Sequence, residues 1–89
     1  MAYQANSLSA LNYANGFTLW HYRSSDSQNE IDSSGYFNGA AGLLRPGDFM
    51  LLNAGVGVVP THGLVVVVAN AGGVVDVTNT SNIGTTNTD

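Results

Sequence analysis

The sequence predicts a small all-β domain, an antiparallel sandwich or barrel-like sheet of about four to six strands. Three observations carry that expectation. The stretch Leu64–Thr78 holds two valine-rich runs around Asn70-Ala71-Gly72-Gly73; β-branched side chains suit a pleated strand, and Asn and Gly tolerate the positive φ of a hairpin turn. Phe17–Tyr22 places three aromatic residues in six positions. Turn residues punctuate the chain at strand-like spacing, with little helical periodicity between them.

Taken in order, residues 1–15 read as an extended N-terminal arm, polar with scattered Tyr3, Leu8, Leu11 and Tyr13, and Asn15-Gly16 punctuates its end. Residues 16–79 form the β domain. Its first strand, 17–23, sets Phe17, Leu19 and His21 on one face and Thr18, Trp20 and Tyr22 on the other. Both faces carry bulky groups, so one packs on the core and the other is either an interface, where Trp and Tyr are common anchors, or the second covered face of a sandwiched core strand. Residues 23–34 are a polar loop, and 38–44 is a small-residue segment suited to a short helical turn around Phe37, Ala41 and Leu44. Arg45-Pro46-Gly47-Asp48 is a turn signature, with proline setting φ and Gly47 supplying a positive value at the next position. Strands are expected at 48–53, 63–69 and 73–78. Pro60 keeps the Gly-rich connection 54–61 out of a central strand. Residues 80–89 read as a polar C-terminal tail.

Leu64–Val68 does not alternate, so both its faces should be covered. Eighty-nine residues offer little material to do that. Only 9% of the chain is charged, there is no lysine, and Arg23 and Arg45 are the firm positive charges. With so little charge, either Ser, Thr, Asn and Gln keep the surface soluble or much of it is covered by partners. The net charge of −4 excludes nucleic-acid binding through phosphate neutralisation, and two arginines do not dock a chain on anionic lipid. The longest apolar runs fall far short of the ~20 residues of a membrane-spanning helix. Residues 1–16 hold neither a basic n-region nor a long apolar run, so they are not expected to act as a secretory signal. The absence of cysteine removes disulfides, thiolate nucleophiles and thiolate metal ligands.

The sequence offers no catalytic constellation. His21, His62 and Asp48 or Asp76 assemble into a triad only on paper, without a nucleophile elbow. Asp26, Glu30 and Asp32 lie close enough to suggest oxygen ligands for Ca²⁺, but their spacing departs from the EF-hand loop. No cofactor is expected. Gly55-x-Gly57 precedes neither a helix nor a lysine, so it is no phosphate loop.

Gly16–Tyr22, then Asp32 with Gly35-Tyr36-Phe37, then Leu44–Phe49 and finally Gly72–Asn79 together resemble a group of small virion structural proteins of tailed bacteriophages. The resemblance covers roughly residues 7–89. It implies a head decoration (cement) protein on the capsid surface, or the base of a head fibre, with the major capsid protein as partner and self-association as a trimer. The chain ends without a fibre shaft, which favours decoration over a fibre, tail or baseplate adaptor. The expected interface residues are Trp20, Tyr22, Tyr36 and Phe37. A different class, a small glycan-binding module, would use Trp20, Tyr22 and Tyr36 as an aromatic platform.

Overall fold

A computed structural model describes residues 2–85. It shows a mostly-β domain built on one six-stranded sheet: β1 Leu8–Ala14, β2 Phe17–Arg23, β3 Phe49–Ala54, β4 Thr61–Ala71, β5 Val74–Val77 and β6 Ser81–Asn82. The order across the sheet is β1-β2-β3-β4-β5, and β6 pairs with β4 beside β5. The all-β expectation holds, at its upper strand number.

Three parts of the sequence reading change. The N-terminal arm is not free: Leu8–Ala14 pairs antiparallel with β2, and Asn15 and Gly16 form the two-residue turn between them, at φ 55° and 75°. Two positive φ values suit the right-handed twist of a hairpin, and Asn-Gly is the pair that adopts them most readily. The sheet is also not wholly antiparallel. β2 and β3 run parallel, with Leu19 opposite Phe49 and Tyr22 opposite Leu52. A parallel pair needs a long crossover, and residues 24–48 provide it. The C-terminal tail, finally, is tied down at its start. Thr80 donates from its N–H (2.9 Å) and its hydroxyl (2.8 Å) to Asp32 Oδ2, and Ser81–Asn82 joins the sheet. Residues 86–89 of that tail lie outside the described residues.

The crossover packs on one face of the sheet and makes it the core. Thr18, Trp20 and Tyr22 of β2 are buried there with Met50, Leu52 and Ala54 of β3, Val65 and Val67 of β4, and Val75 and Val77 of β5. Ile31, Phe37, Ala40 and Leu44 close over them from the crossover. Each large side chain removed from water in this way stabilises by about 1.5 to 3 kcal/mol. Ile31 ends a single helical turn, α1 (Gln28–Ile31), capped by Ser27, whose hydroxyl accepts from the Glu30 N–H. The helical turn expected at 38–44 is present as a 3-10 turn over Asn38–Ala40. Asn70 closes it, donating to the carbonyls of Ala41 and Leu44, both at 2.7 Å.

The end of the crossover is fixed by Asp48. Its N–H donates to Arg45 O across a turn in which Gly47 has φ 95°. Its buried carboxylate accepts from Trp20 Nε1 at 3.0 Å, Thr18 N at 3.2 Å and Arg45 N at 3.1 Å. Gly47 N and Asp48 O both bond to Val67. One residue thus joins crossover, β2 and β4. Gly63 is required for a different reason: a Cβ there would fall on Thr80 Cγ2 and lie 2.9 Å from Ser81 O. Only a glycine lets the C-terminal segment lie against β4.

Replacing Asp48 with alanine strands three donors, the Trp20 indole among them. Urea unfolding followed by Trp20 fluorescence is expected to show a loss of about 3 kcal/mol or more. A loss below about 1 kcal/mol would show that solvent reaches these donors.

Candidate functional site: the open face of the sheet

The crossover covers one face only. The opposite face carries the other half of each strand: Phe17, Leu19 and His21 from β2, Phe49, Leu51 and Asn53 from β3, and His62, Leu64 and Val66 from β4. Register fixes this grouping. Leu19, Phe49 and Val66 form one row, and His21, Leu51 and Leu64 the next. Phe17 and Phe49 remain 40% and 39% exposed and meet edge to face at 5.5 Å between ring centres. Leu19, Leu51, Leu64 and Val66 are half-buried by their neighbours alone. The run that fails to alternate, Leu64–Val68, therefore has one covered face and one open face.

One end of this face is polar. Asn53 sits between two histidines, its Nδ2 2.8 Å from His21 Nε2 and its Oδ1 2.8 Å from His62 Nδ1. An amide donates from one end and accepts at the other, so one ring presents an N–H and the other a lone pair. Arg23 stands opposite Asn53 in the sheet. No carboxylate occurs in β1, β2, β3, β4 or β6. The described carboxylates lie on the crossover, at the Asp48 turn and on β5.

The expected interface residues are not on this face. Trp20, Tyr22 and Phe37 are 8%, 0% and 1% exposed, and Tyr36 is half-buried. This corrects the sequence expectation. The crossover folds back over the Trp20–Tyr22 side, so those rings pack inside the domain and have almost no surface left for a partner or a glycan. Tyr22 stacks on Tyr3 at 5.8 Å and meets Phe37 edge to face at 5.1 Å. The sequence set the two faces of β2 apart correctly; nothing in one strand says which of two bulky faces the crossover will cover.

The acidic residues of the crossover are separated as well. Asp26 is buried and accepts from the Tyr36 hydroxyl at 2.7 Å. Tyr36 in turn accepts from Tyr22 at 2.9 Å, and the Tyr22 oxygen accepts from the Gln4 N–H at 3.0 Å. This one-way relay ends on the carboxylate. Asp32 holds Thr80, while Glu30 is exposed at the end of α1. The three do not form a ligand set, and no cluster of three metal-ligating side chains occurs among the described residues. His21 and His62 share Asn53, Asp48 faces the core, and Asp76 stands opposite Ala69, seven residues along β4 from His62, so the paper triad does not come together. A shallow cleft of about 350 Å³ between Ser25–Asn29 and Gly55–Thr61 is lined by hydroxyls, amides and Val58 and Val59, and receives neither histidine.

Comparison with protein families, with curated proteins and with solved structures finds no match to this chain.

Two outcomes follow from the two faces. Met50→Ala, on the covered face, is expected to cost about 2 to 5 kcal/mol in urea unfolding. Phe49→Thr, one residue earlier and on the open face, is expected to cost about 1 kcal/mol at low protein concentration. Equal losses would mean that the faces are not distinct.

The Tyr22–Tyr36–Asp26 relay has a pH signature. Burial first, then the bonds to Tyr22 and Asp26, hold the Tyr36 phenol well above its ordinary range. The fold favours the protonated phenol, so this stabilisation is complete below the unfolded value of about 10 and is lost as pH rises above it. Stability measured by urea unfolding is expected to fall above about pH 10, and less steeply in Tyr36→Phe. The same slope in both proteins would remove Tyr36 as its cause.

Proposed function

We propose that this chain is a structural subunit of a bacteriophage virion, a capsid decoration protein that binds the outside of the head as a homo-oligomer and bridges major capsid subunits. The observation that carries the reading is the open sheet face: apolar over three strands, with no carboxylate on β1 to β4 and one, Asp76, out on β5, and placed on a chain with two arginines and no lysine. An apolar face of this extent on a small domain marks a surface that works by contact. The resemblance of Gly16–Tyr22, Gly35-Tyr36-Phe37, Leu44–Phe49 and Gly72–Asn79 to small phage virion proteins supports the setting. Bridging requires no chemistry. Many modest contacts repeated over a lattice add through multivalency and oppose the outward pressure of packaged DNA.

The test is co-sedimentation with purified capsids over a range of salt. The protein is expected to pellet with capsids at a fixed ratio to the major capsid protein and to protect them against rupture by heat. Free protein left in the supernatant at every salt concentration would refute the decoration role.

A further inference from the structure

We infer that copies of this chain associate through the open sheet face, packing face to face, and that the His21–Asn53–His62 row makes the association acid-labile. The inference rests on the reading of that face as an assembly surface and names its occupant, another copy of the same chain.

Charge argues for a copy. The chain carries a net charge of −4, so two copies repel at most approaches. The open face over β1 to β4 is the exception. β1 to β4 and β6 hold no carboxylate, and the covered face with its crossover carries Asp26, Glu30, Asp32 and Asp48. Face-to-face packing points those four charges away from the contact; Asp76, alternating with the buried Val75 and Val77, stays on β5 at the margin of the open face. Size agrees. Four strands at about 4.8 Å spacing and six residues at about 3.3 Å rise give a face of about 20 Å by 20 Å. Two such faces remove about 800 Å² of flat footprint. Side-chain relief raises that to the ~1,000 Å² at which specific interfaces begin. Sheets that pack through interdigitated faces lie about 10 Å apart, so the pair completes a β-sandwich from two chains. The half-exposed Phe17–Phe49 pair would lie within that seam.

The polar row can enter such a seam because its members already satisfy one another. That holds only while at least one ring is neutral. An imidazolium donates from both nitrogens, and the Asn53 amide offers a single acceptor oxygen. With both rings protonated, one N–H is left pointing at the Asn53 NH₂, and two charges lie on the face. No neighbouring element offsets them. β1, β3, β4 and β6 bring no carboxylate. β2 adds Arg23, a third positive group. Asp26 lies on the covered side, bonded to Tyr36, and Asp76 stands on β5, toward the other end of the sheet.

The test uses the full chain in sedimentation equilibrium and light scattering at about pH 8 and about pH 5. A defined oligomer is expected at the higher pH, with dissociation at the lower one. Leu51→Glu and Phe49→Glu each place a charge in the centre of the face, and are expected to weaken association about a hundredfold. Trp20 fluorescence and near-ultraviolet dichroism report that the core is unchanged in each. His62→Gln keeps a hydrogen-bonding group beside Asn53 and is expected to abolish the acid response. A chain that stays monomeric at every concentration, or an oligomer unaffected by both glutamates, overturns the inference. An oligomer that dissociates in acid equally well with His62→Gln overturns the histidine role. Capsid pelleting separates the two readings: a monomer that pellets sinks only this inference, and an oligomer that never pellets sinks only the decoration role.

Discussion

The buried carboxylate of Asp48 is the constraint on which the rest of the arrangement depends. It gathers an indole N–H and two backbone N–H groups from segments far apart in sequence. A carboxylate out of water is costly unless its oxygens are served, and hydrogen bonds to a charged acceptor are the strong kind. Serving it needs Thr18 and Trp20 on one side and the Arg45 turn on the other. Once those are in place, β3 starts alongside β2 and points the same way. The parallel pair, the crossover and the covered face all follow from that docking.

Covering one face leaves the other as it is. Among the described residues the one long connection is 24–48, and it lies on the side of Trp20 and Tyr22. The open side keeps leucine, valine and phenylalanine in contact with water, at a free-energy cost that a second layer would remove. Of the formally charged residues, the strands hold only Arg23 and Asp76.

Much of this was legible in the sequence. β2, β3, β4 and β5 fall within two residues of the predicted spans, because aromatic and β-branched runs end at Gly, Pro and Asn. β1 was missed. Leu8–Ala14 mixes Ser, Ala and Asn, weak strand formers, and its pairing comes from the Asn15-Gly16 turn; that dipeptide was the available signal. The Ser27-x-x-Glu30 spacing likewise marks the start of α1. Parallel pairing of β2 with β3 was not legible, since it depends on where a long crossover lands. The error over Trp20, Tyr22 and Phe37 has the same cause. Aromatic residues suit cores and interfaces equally, and only the covering segment decides between them. Asp48 read as a turn residue because its partner, Trp20, lies on another strand.

Leu8, Tyr22, Leu52, Gly63 and Asn82 form one continuous row across the sheet. The segments before Leu8 and after Asn82 therefore leave from the same end of the molecule, at opposite margins. The far end is built from tight turns at Asn15-Gly16, Pro46-Gly47 and Gly72-Gly73. A tensile load applied through the two terminal segments runs across the strands and not along them. It peels a margin one hydrogen-bonded pair at a time, whereas a load entering through the broad face would be spread over several strands at once.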